Sequence, residues 1–175
     1  DRRREGGRVG GMKKTLCMLL LGTLLMAGCG EKTHYSPPLT EEEVKIIAEA
    51  IDVNMLQLRG KKGEELYYAS NEQTPYTEWA KVMYGNGQIQ YLVLIKDGKW
   101  DGLLTGWYEN GQKESEQNWK DGKPDGLAML WHENGQKKAE GNYKDGKKVG
   151  FWIYWHEDGT ERGRETYKDD DPVED

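Results

Sequence analysis

One turn dipeptide returns every 24 residues along this chain, and this period constrains the fold more than any other feature. Its four copies are Asn86-Gly87, Asn110-Gly111, Asn134-Gly135 and Asp158-Gly159. A second turn and a third glycine keep the same step: Asp97-Gly98, Asp121-Gly122 and Asp145-Gly146, then Gly102, Gly126 and Gly150. A fixed period of this length is typical of repeat proteins, in which each unit packs against its neighbours.

Each repeat predicts two strands joined by tight turns. Residues 103–109 and 112–120, for example, flank Asn110-Gly111, and Asp121-Gly122 follows. Asn-Gly and Asp-Gly favour two-residue type I′ turns because both positions need a positive φ. The Lys-x-x-Gly segment after each Asp-Gly turn adds two residues, which predicts a bulge or a wider loop. We therefore expect an all-β repeat fold: an elongated antiparallel β-meander over residues 54–170, with a degenerate first unit near Met55.

The segment before the repeats predicts export to the cell envelope. Residues 12–28 hold two lysines, an apolar run and a small-residue end, which is the layout of a secretory signal. Residues 1–11 are interpreted as a non-native or mis-assigned extension. The stretch 25–29 resembles a bacterial lipoprotein processing site, which implies cleavage between Gly28 and Cys29 and lipid attachment to the Cys29 thiol. The alternative is an ordinary cleaved signal with an incidental Cys29.

Charge and cysteine content narrow the classes of partner. Residues 1–28 contain six basic and two acidic side chains of the 25 and 31 in the chain, so the remainder carries a net charge of −10. This charge disfavours nucleic acid and anionic headgroups as main partners. Cys29 is the one cysteine left after removal of the signal, so packing and not a disulfide must stabilise the fold.

Three shorter segments flank the repeats. Residues 29–39 contain Pro37-Pro38 and predict a tether. Thr40 and Glu43 have the spacing of a capping box, and an apolar stripe follows, so we expect one short helix over residues 40–53. Residues 171–175 form an acidic tail, expected to protect an open sheet edge.

The period also aligns apolar and aromatic side chains in columns. Three columns are Met83, Trp107, Trp131 and Trp155; Leu103, Leu127 and Phe151; and Ile95, Trp119, Tyr143 and Tyr167. Such columns can be buried ladders that hold the sheet together, or an exposed platform on which sugar rings stack. The candidate contact surface, or the ladder beneath it, consists of Trp107, Tyr108, Trp119, Trp131, Tyr143 and Trp155.

Repeated polar columns do not predict catalysis or a metal. His132 and His156 are two strands apart, about 10 Å, which is too far for two ligands of one zinc ion. They replace Tyr84 and Tyr108 in their column, so we interpret them as rings in a ladder. The column Glu109, Glu133 and Glu157 meets the same objection as a glycosidase pair. We expect no catalytic residue, no metal and no cofactor.

The repeat phrase resembles the bacterial variant of the MORN repeat. The residues that carry the resemblance are 106–113, Gly-Trp-Tyr-Glu-Asn-Gly-Gln-Lys, then 119–123, Trp-Lys-Asp-Gly-Lys, and Gly126. The resemblance covers most of residues 55–170, and Pro75-Tyr76-Thr77 is similar to the entry of such arrays, with Glu78 in place of a glycine. It implies a solenoid-like sheet that mediates binding and has no catalytic residues.

These observations predict a binding protein and not an enzyme. The first hypothesis is a lipid-anchored envelope protein, on the outer membrane if the host has one, that contacts an unidentified envelope protein. The resemblance adds an antitoxin-like or immunity-like role. The alternative is a module that binds cell-wall glycan through stacked Trp and Tyr rings, and an enzyme is a distant third.

Overall fold

The computed structural model describes residues 39–173, which form one long sheet, a separate hairpin and a short helix. The predicted signal, the lipid site at Cys29, residues 29–38 of the tether and the last two residues of the acidic tail lie outside the described residues. Within residues 39–173, no helix is long and apolar enough to cross a membrane.

The main sheet contains ten strands in the order β1-β4-β5-β6-β7-β8-β9-β10-β11-β12, and β2 pairs with β3 in a second sheet. From β4 onward each strand pairs with its neighbours in sequence, which confirms the antiparallel meander. The bounds are α1 Glu41–Glu49, β1 Ile51–Asp52, a 3-10 turn Val53–Met55, β2 Leu56–Arg59, β3 Leu66–Ala69, β4 Glu78–Met83, β5 Ile89–Lys96, β6 Lys99–Trp107, β7 Lys113–Lys120, β8 Lys123–Trp131, β9 Lys137–Lys144, β10 Lys147–Trp155, β11 Glu161–Lys168 and β12 Asp171–Val173.

The helix begins as predicted and ends earlier. The Thr40 hydroxyl accepts the Glu43 backbone N–H at 3.1 Å, and the Thr40 N–H donates to the Glu43 carboxylate at 2.7 Å, so the capping box is confirmed. Ala50 is already extended, because the next two residues, Ile51 and Asp52, pair in parallel with Ala80 and Lys81 of β4. The prediction of helix as far as residue 53 is therefore wrong.

The degenerate first unit does not join the meander. β2 and β3 form a hairpin of their own, whose turn contains Gly63 with φ +88°. The hairpin is fixed by backbone hydrogen bonds: Tyr67 N–H donates to Gly98 O at 2.9 Å, and Tyr76 N–H donates to Tyr67 O at 2.8 Å. It packs across the sheet, so the expectation of one continuous sheet from residue 54 is corrected to a sheet plus a covering hairpin.

The two kinds of turn differ in geometry. Asp97, Asp121 and Asp145 have φ near +50° and each precedes a glycine of positive φ, as two-residue type I′ turns require. At the Asn-Gly turns the glycine alone has a positive φ. Gly111 N–H donates to Tyr108 O and Tyr108 N–H donates to Gln112 O, both at 2.9 Å, which defines a three-residue loop with a glycine bulge. The type I′ prediction is correct for the turns at Asp97, Asp121 and Asp145, and wrong for the Asn-Gly turns and for Asp158-Gly159.

Bulges after the Asp-Gly turns link successive repeats. In the β7–β8 pair the register jumps between Gln117↔Ala128 and Trp119↔Pro124, which confirms the predicted bulge around Gly126. Because of the bulge, a backbone carbonyl near the start of the strand is free to accept a hydrogen bond from the Asp-Gly turn of the next repeat. Gly122 N–H thus donates to Trp100 O at 2.9 Å, and Gly146 N–H donates to Pro124 O at 2.8 Å. Each turn is therefore hydrogen-bonded to the preceding repeat.

Strand alternation gives the main sheet two different faces. The face that we call the helix face carries Leu92 and Trp107, and α1 packs on it through Ile46, Ile47 and Ala50. The opposite hairpin face carries Val93 and Ile95, which the β2–β3 hairpin covers. Farther along the hairpin face, Trp152 fills a third cluster with Ala128 and Ala139. The core thus lies on both sides of the N-terminal half of the sheet and mainly on the hairpin face of the C-terminal half.

The acidic tail contributes the last strand. Asp171–Val173 pairs with Thr166, Tyr167 and Lys168 of β11, so the repeat region extends beyond residue 170. Pro172 lies in this edge strand, where its missing N–H removes a donor from the exposed edge.

Candidate interaction surface

The helix face is open beyond the reach of α1. Leu103, Leu127 and Phe151 occupy the same position in three successive repeats and are 40%, 38% and 70% exposed. Trp131 and Trp155 lie four residues farther along the strands, on the same face, and are half-buried. We call these five residues the apolar stripe. An exposed apolar surface shared by consecutive repeats is a common feature of interaction sites.

Lysine side chains stack on the tryptophans of the stripe. The Lys113 amine lies 5.9 Å from the Trp131 ring centroid, and the Lys137 amine lies 5.6 Å from that of Trp155. Each lysine also forms an ion pair on its own strand, Lys113 with Glu116 and Lys137 with Glu140. The last repeat reverses the signs, with Glu161 and Arg164 at the corresponding positions, 2.7 Å apart. The stripe is therefore bordered by compensated charges and has no strong charge of its own.

A groove lies between the two tryptophans of the stripe. Trp131 and Trp155 line its sides together with Gln136 and Lys137, and its volume is about 340 Å³. Two aromatic walls with an amide and an amine between them could hold a sugar ring by stacking and hydrogen bonding.

The other candidate residues have different surroundings. Trp107 is 4% exposed beneath α1, so it belongs to the buried ladder. Trp119 and Tyr143 lie on the hairpin face: Trp119 contacts Trp100 edge-on at 4.8 Å, and Tyr143 contacts Trp152 edge-on at 5.1 Å. Of the six candidates, Trp131 and Trp155 are the two that the structure places together on the open surface.

The column of Tyr84, Tyr108 and His132 joins each repeat to the next, whereas His156, the last member of the column, is exposed. Tyr84 and Tyr108 donate their hydroxyls to Trp107 O and Trp131 O, both at 2.7 Å, and His132 Nε2 lies 3.0 Å from Trp155 O. Burial, and then the nearby Glu114 carboxylate, raise the pKa of Tyr84 and Tyr108 above the usual value, so both hydroxyls stay protonated donors at neutral pH. This geometry confirms the ladder interpretation of His132. Among residues 39–173, no group of three potential metal ligands is found.

A parallel set of amide bonds reinforces this ladder. The Asn110 and Asn134 side chains donate to Glu133 O at 2.9 Å and to Glu157 O at 2.6 Å. Asp158 occupies the next position and has no amide donor; its carboxylate instead accepts the Thr160 N–H at 2.8 Å. The asparagine at this turn therefore has a second role, as a link between repeats, besides shaping its own loop.

The ladder can be tested with Tyr108→Phe. The variant keeps the ring and loses one hydrogen bond to Trp131 O, so we expect the free energy of unfolding to fall by about 1 kcal/mol. Urea unfolding followed by circular dichroism measures the change. Tyr68→Phe is the control, because its ring stacks under Arg59 on the separate hairpin and should tolerate the loss of the hydroxyl. Equal effects in the two variants would contradict the ladder.

The sequence analysis missed one buried tryptophan, Trp152, and one half-buried tryptophan, Trp100. Trp152 is 1% exposed, and it lies at the 24-residue step from Ala80, Leu104 and Ala128, all of them buried. This fourth column could have been found from the same period that revealed the other three. Trp100 has Pro124 and Lys148 at the equivalent positions of later repeats, so no periodic signal marked it.

Stacked 24-residue hairpins, side-chain ladders between repeats and an open apolar stripe define a β-repeat interaction module. The comparison with protein families adds a similarity: the model of the MORN repeat variant matches residues 100–121 and 124–145. Two consecutive repeats of this chain are therefore similar to the MORN repeat variant. Repeats of this type generally mediate interaction with proteins or membranes. No curated protein matches the chain.

Proposed function

We propose that this protein binds another protein of the cell envelope through the apolar stripe. The single observation that supports this most directly is the exposure of Leu103, Leu127 and Phe151 in register on one sheet face. Aliphatic and aromatic side chains in a row fit an apolar protein surface, and they offer a sugar few hydrogen-bonding groups. The lipid anchor at Cys29 and the net charge of −10 after signal removal would place the stripe near the membrane without attracting anionic headgroups.

The partner that we favour is an envelope protein inhibited or protected by the complex, as in an antitoxin-like or immunity-like pair. Two features support this proposal. The repeats are similar to the MORN repeat variant, and a protein that inhibits by binding needs a contact surface but no catalytic group. A preformed sheet binds a partner with little loss of conformational entropy, which suits tight inhibitory complexes.

The test uses the full chain in membranes of the expressing cell. Chemical crosslinking and pull-down should capture one stoichiometric protein with the wild type, and Phe151→Glu should reduce its recovery about tenfold or more, because a charge would be buried in the interface. Leu58→Glu is the matched control: Leu58 is 59% exposed, on the separate hairpin, so it should retain the partner. If both variants lose the crosslinked partner, or if neither loses it, the apolar stripe is rejected as the contact surface.

A cell-wall glycan remains the second candidate, because the groove between Trp131 and Trp155 has two aromatic walls on which a sugar ring can stack. Under this alternative the full chain sediments with purified sacculi, and Trp155→Ala loses sedimentation while its circular dichroism spectrum is unchanged. If the full chain stays in the supernatant in this assay and a partner is crosslinked in membranes, the first candidate is supported.

A further inference from the structure

A partly open cavity of about 410 Å³ lies on the hairpin face, away from the apolar stripe. Four aromatic residues line it, Tyr67, Tyr91, Trp100 and Trp119, together with aliphatic side chains from β4, β5 and β6. The β2–β3 hairpin contributes Tyr67, so the sheet and the covering hairpin form the cavity together. Its size is within the range of small-molecule sites, which are about 300–1,000 Å³.

One charged residue is present among the residues that line this cavity, and it is Glu114. Between residues 39 and 173, no lysine or arginine forms an ion pair with its carboxylate, whereas Glu116, Glu140 and Glu161 are all paired. The nearest polar partner is the Tyr91 hydroxyl, which donates to Glu114 at 3.4 Å. The carboxylate is half-buried, so a complementary cation would gain more there than at the open surface.

The backbone directs Glu114 into the cavity. The β6–β7 register shifts between Gly106↔Ser115 and Trp107↔Lys113, so Glu114 is the extra residue of a bulge. Because of this bulge, the consecutive residues Glu114 and Ser115 both line the cavity, against the usual alternation of a strand. Gln90 and Lys138 occupy the equivalent positions of the neighbouring repeats, so the repeat itself does not require a carboxylate here.

Trp100 and Trp119 give the cavity an aromatic wall. Their rings meet edge-on with centroids 4.8 Å apart, and both indole N–H groups are buried without a hydrogen-bond partner in the described part of the chain. Because both N–H groups are inaccessible to solvent, these residues offer the cavity mainly aromatic surface. Aromatic faces beside a carboxylate attract cations with apolar substituents, because such cations lose little hydration on leaving water.

From these observations we propose that the hairpin-face cavity binds a small organic cation of the quaternary or alkylated ammonium class. The positive centre lies against Glu114 and the rings, and the apolar part of the ligand fills the aliphatic end. A bare metal ion would leave the aliphatic lining unused, and a neutral apolar molecule would leave Glu114 without a counterion.

The probe is benzyltrimethylammonium, titrated into the full chain and followed by calorimetry and tryptophan fluorescence. Its neutral analogue, 2-methyl-1-phenylpropan-2-ol, has nearly the same shape and should bind at least about tenfold more weakly. Glu114→Gln should weaken binding of the cation by about tenfold and leave the affinity for the neutral analogue unchanged. Glu157→Gln, an exposed turn carboxylate two repeats away, removes the same charge and should bind as the wild type.

Circular dichroism of each variant separates a folding defect from a binding defect. Equal affinity of the wild type and Glu114→Gln for the cation would overturn the proposal, as would equal affinity of the wild type for the two ligands. Absence of any binding to the wild type at millimolar concentration would overturn it as well. Crosslinking of an envelope protein through the apolar stripe is independent of all these outcomes.

Discussion

Gly141→Ala is expected to destabilise the protein by about 3 kcal/mol or more. A Cβ atom on Gly141 would lie 2.2 Å from Trp152 Cδ2 and 2.3 Å from Cε2. Trp152 cannot retreat, because Tyr143, Tyr154 and Tyr167 pack around its ring with centroids 5.1, 6.2 and 6.4 Å away. Urea unfolding monitored by circular dichroism should show a clearly lower midpoint.

Gly163→Ala is the matched control for this substitution. Gly163 lies on β11, and a Cβ there would meet nothing within 4 Å. We expect a neutral or slightly stabilising effect, because alanine lowers the entropy of the unfolded chain. The double variant Gly141→Ala with Trp152→Leu should recover part of the lost stability relative to the two single changes, since leucine is the residue at the equivalent position 104. Strictly additive effects would show that the clash is not the cause.

Trp107→Ala is the second large effect, with an expected loss of about 3–5 kcal/mol. Trp107 packs against Ala50 and Leu92, and Ile46 and Ile47 of α1 cover it. Removal of the indole leaves a cavity under the helix and removes one of the two large side chains at the centre of the cluster that α1 joins. The free energy of unfolding should fall, and hydrogen exchange of α1 amides should accelerate toward that of an exposed helix.

Trp131→Ala provides the comparison within the same column. Trp131 is half-buried and lies outside the cluster that α1 joins, and the Lys113 amine lies over its ring. We expect a smaller loss of stability and a protein that still folds but binds its partner poorly. If Trp131→Ala were as destabilising as Trp107→Ala, Trp131 would be a core residue and could not serve as a contact.

The sequence predicted the repeat, the strand order and the capped helix because each depends on local chemistry. Asp121-Gly122 specifies its turn through two positive φ angles, and Thr40 with Glu43 specifies a helix start through hydrogen bonds between near neighbours. The Asn110-Gly111 loop was harder, because the same dipeptide also fits a three-residue loop, in which the Asn110 side-chain oxygen accepts the Gln112 N–H.

Features that depend on distant residues could not be predicted in the same way. Ile51 leaves the helix because a strand edge at Ala80 is available 29 positions later, and no local signal reports that edge. Gly141 is a glycine because Trp152 crosses it on the neighbouring strand. The same distinction holds for the candidate sites. The 24-residue period identified Trp131 and Trp155, but their exposure depends on how far α1 extends over the sheet. The position of Glu114 in its cavity depends on a bulge that the period does not report.

A stack of similar hairpins has no intrinsic length limit, and a second molecule could in principle dock on its last strand and extend it into a fibre. The substitution of Asp158 for the asparagine of the earlier turns removes the amide that would clasp an incoming carbonyl. Pro172 on the edge strand removes a backbone donor as well. Asp158 and Pro172 therefore oppose the addition of a further hairpin at β12, although the ladders between repeats are self-complementary.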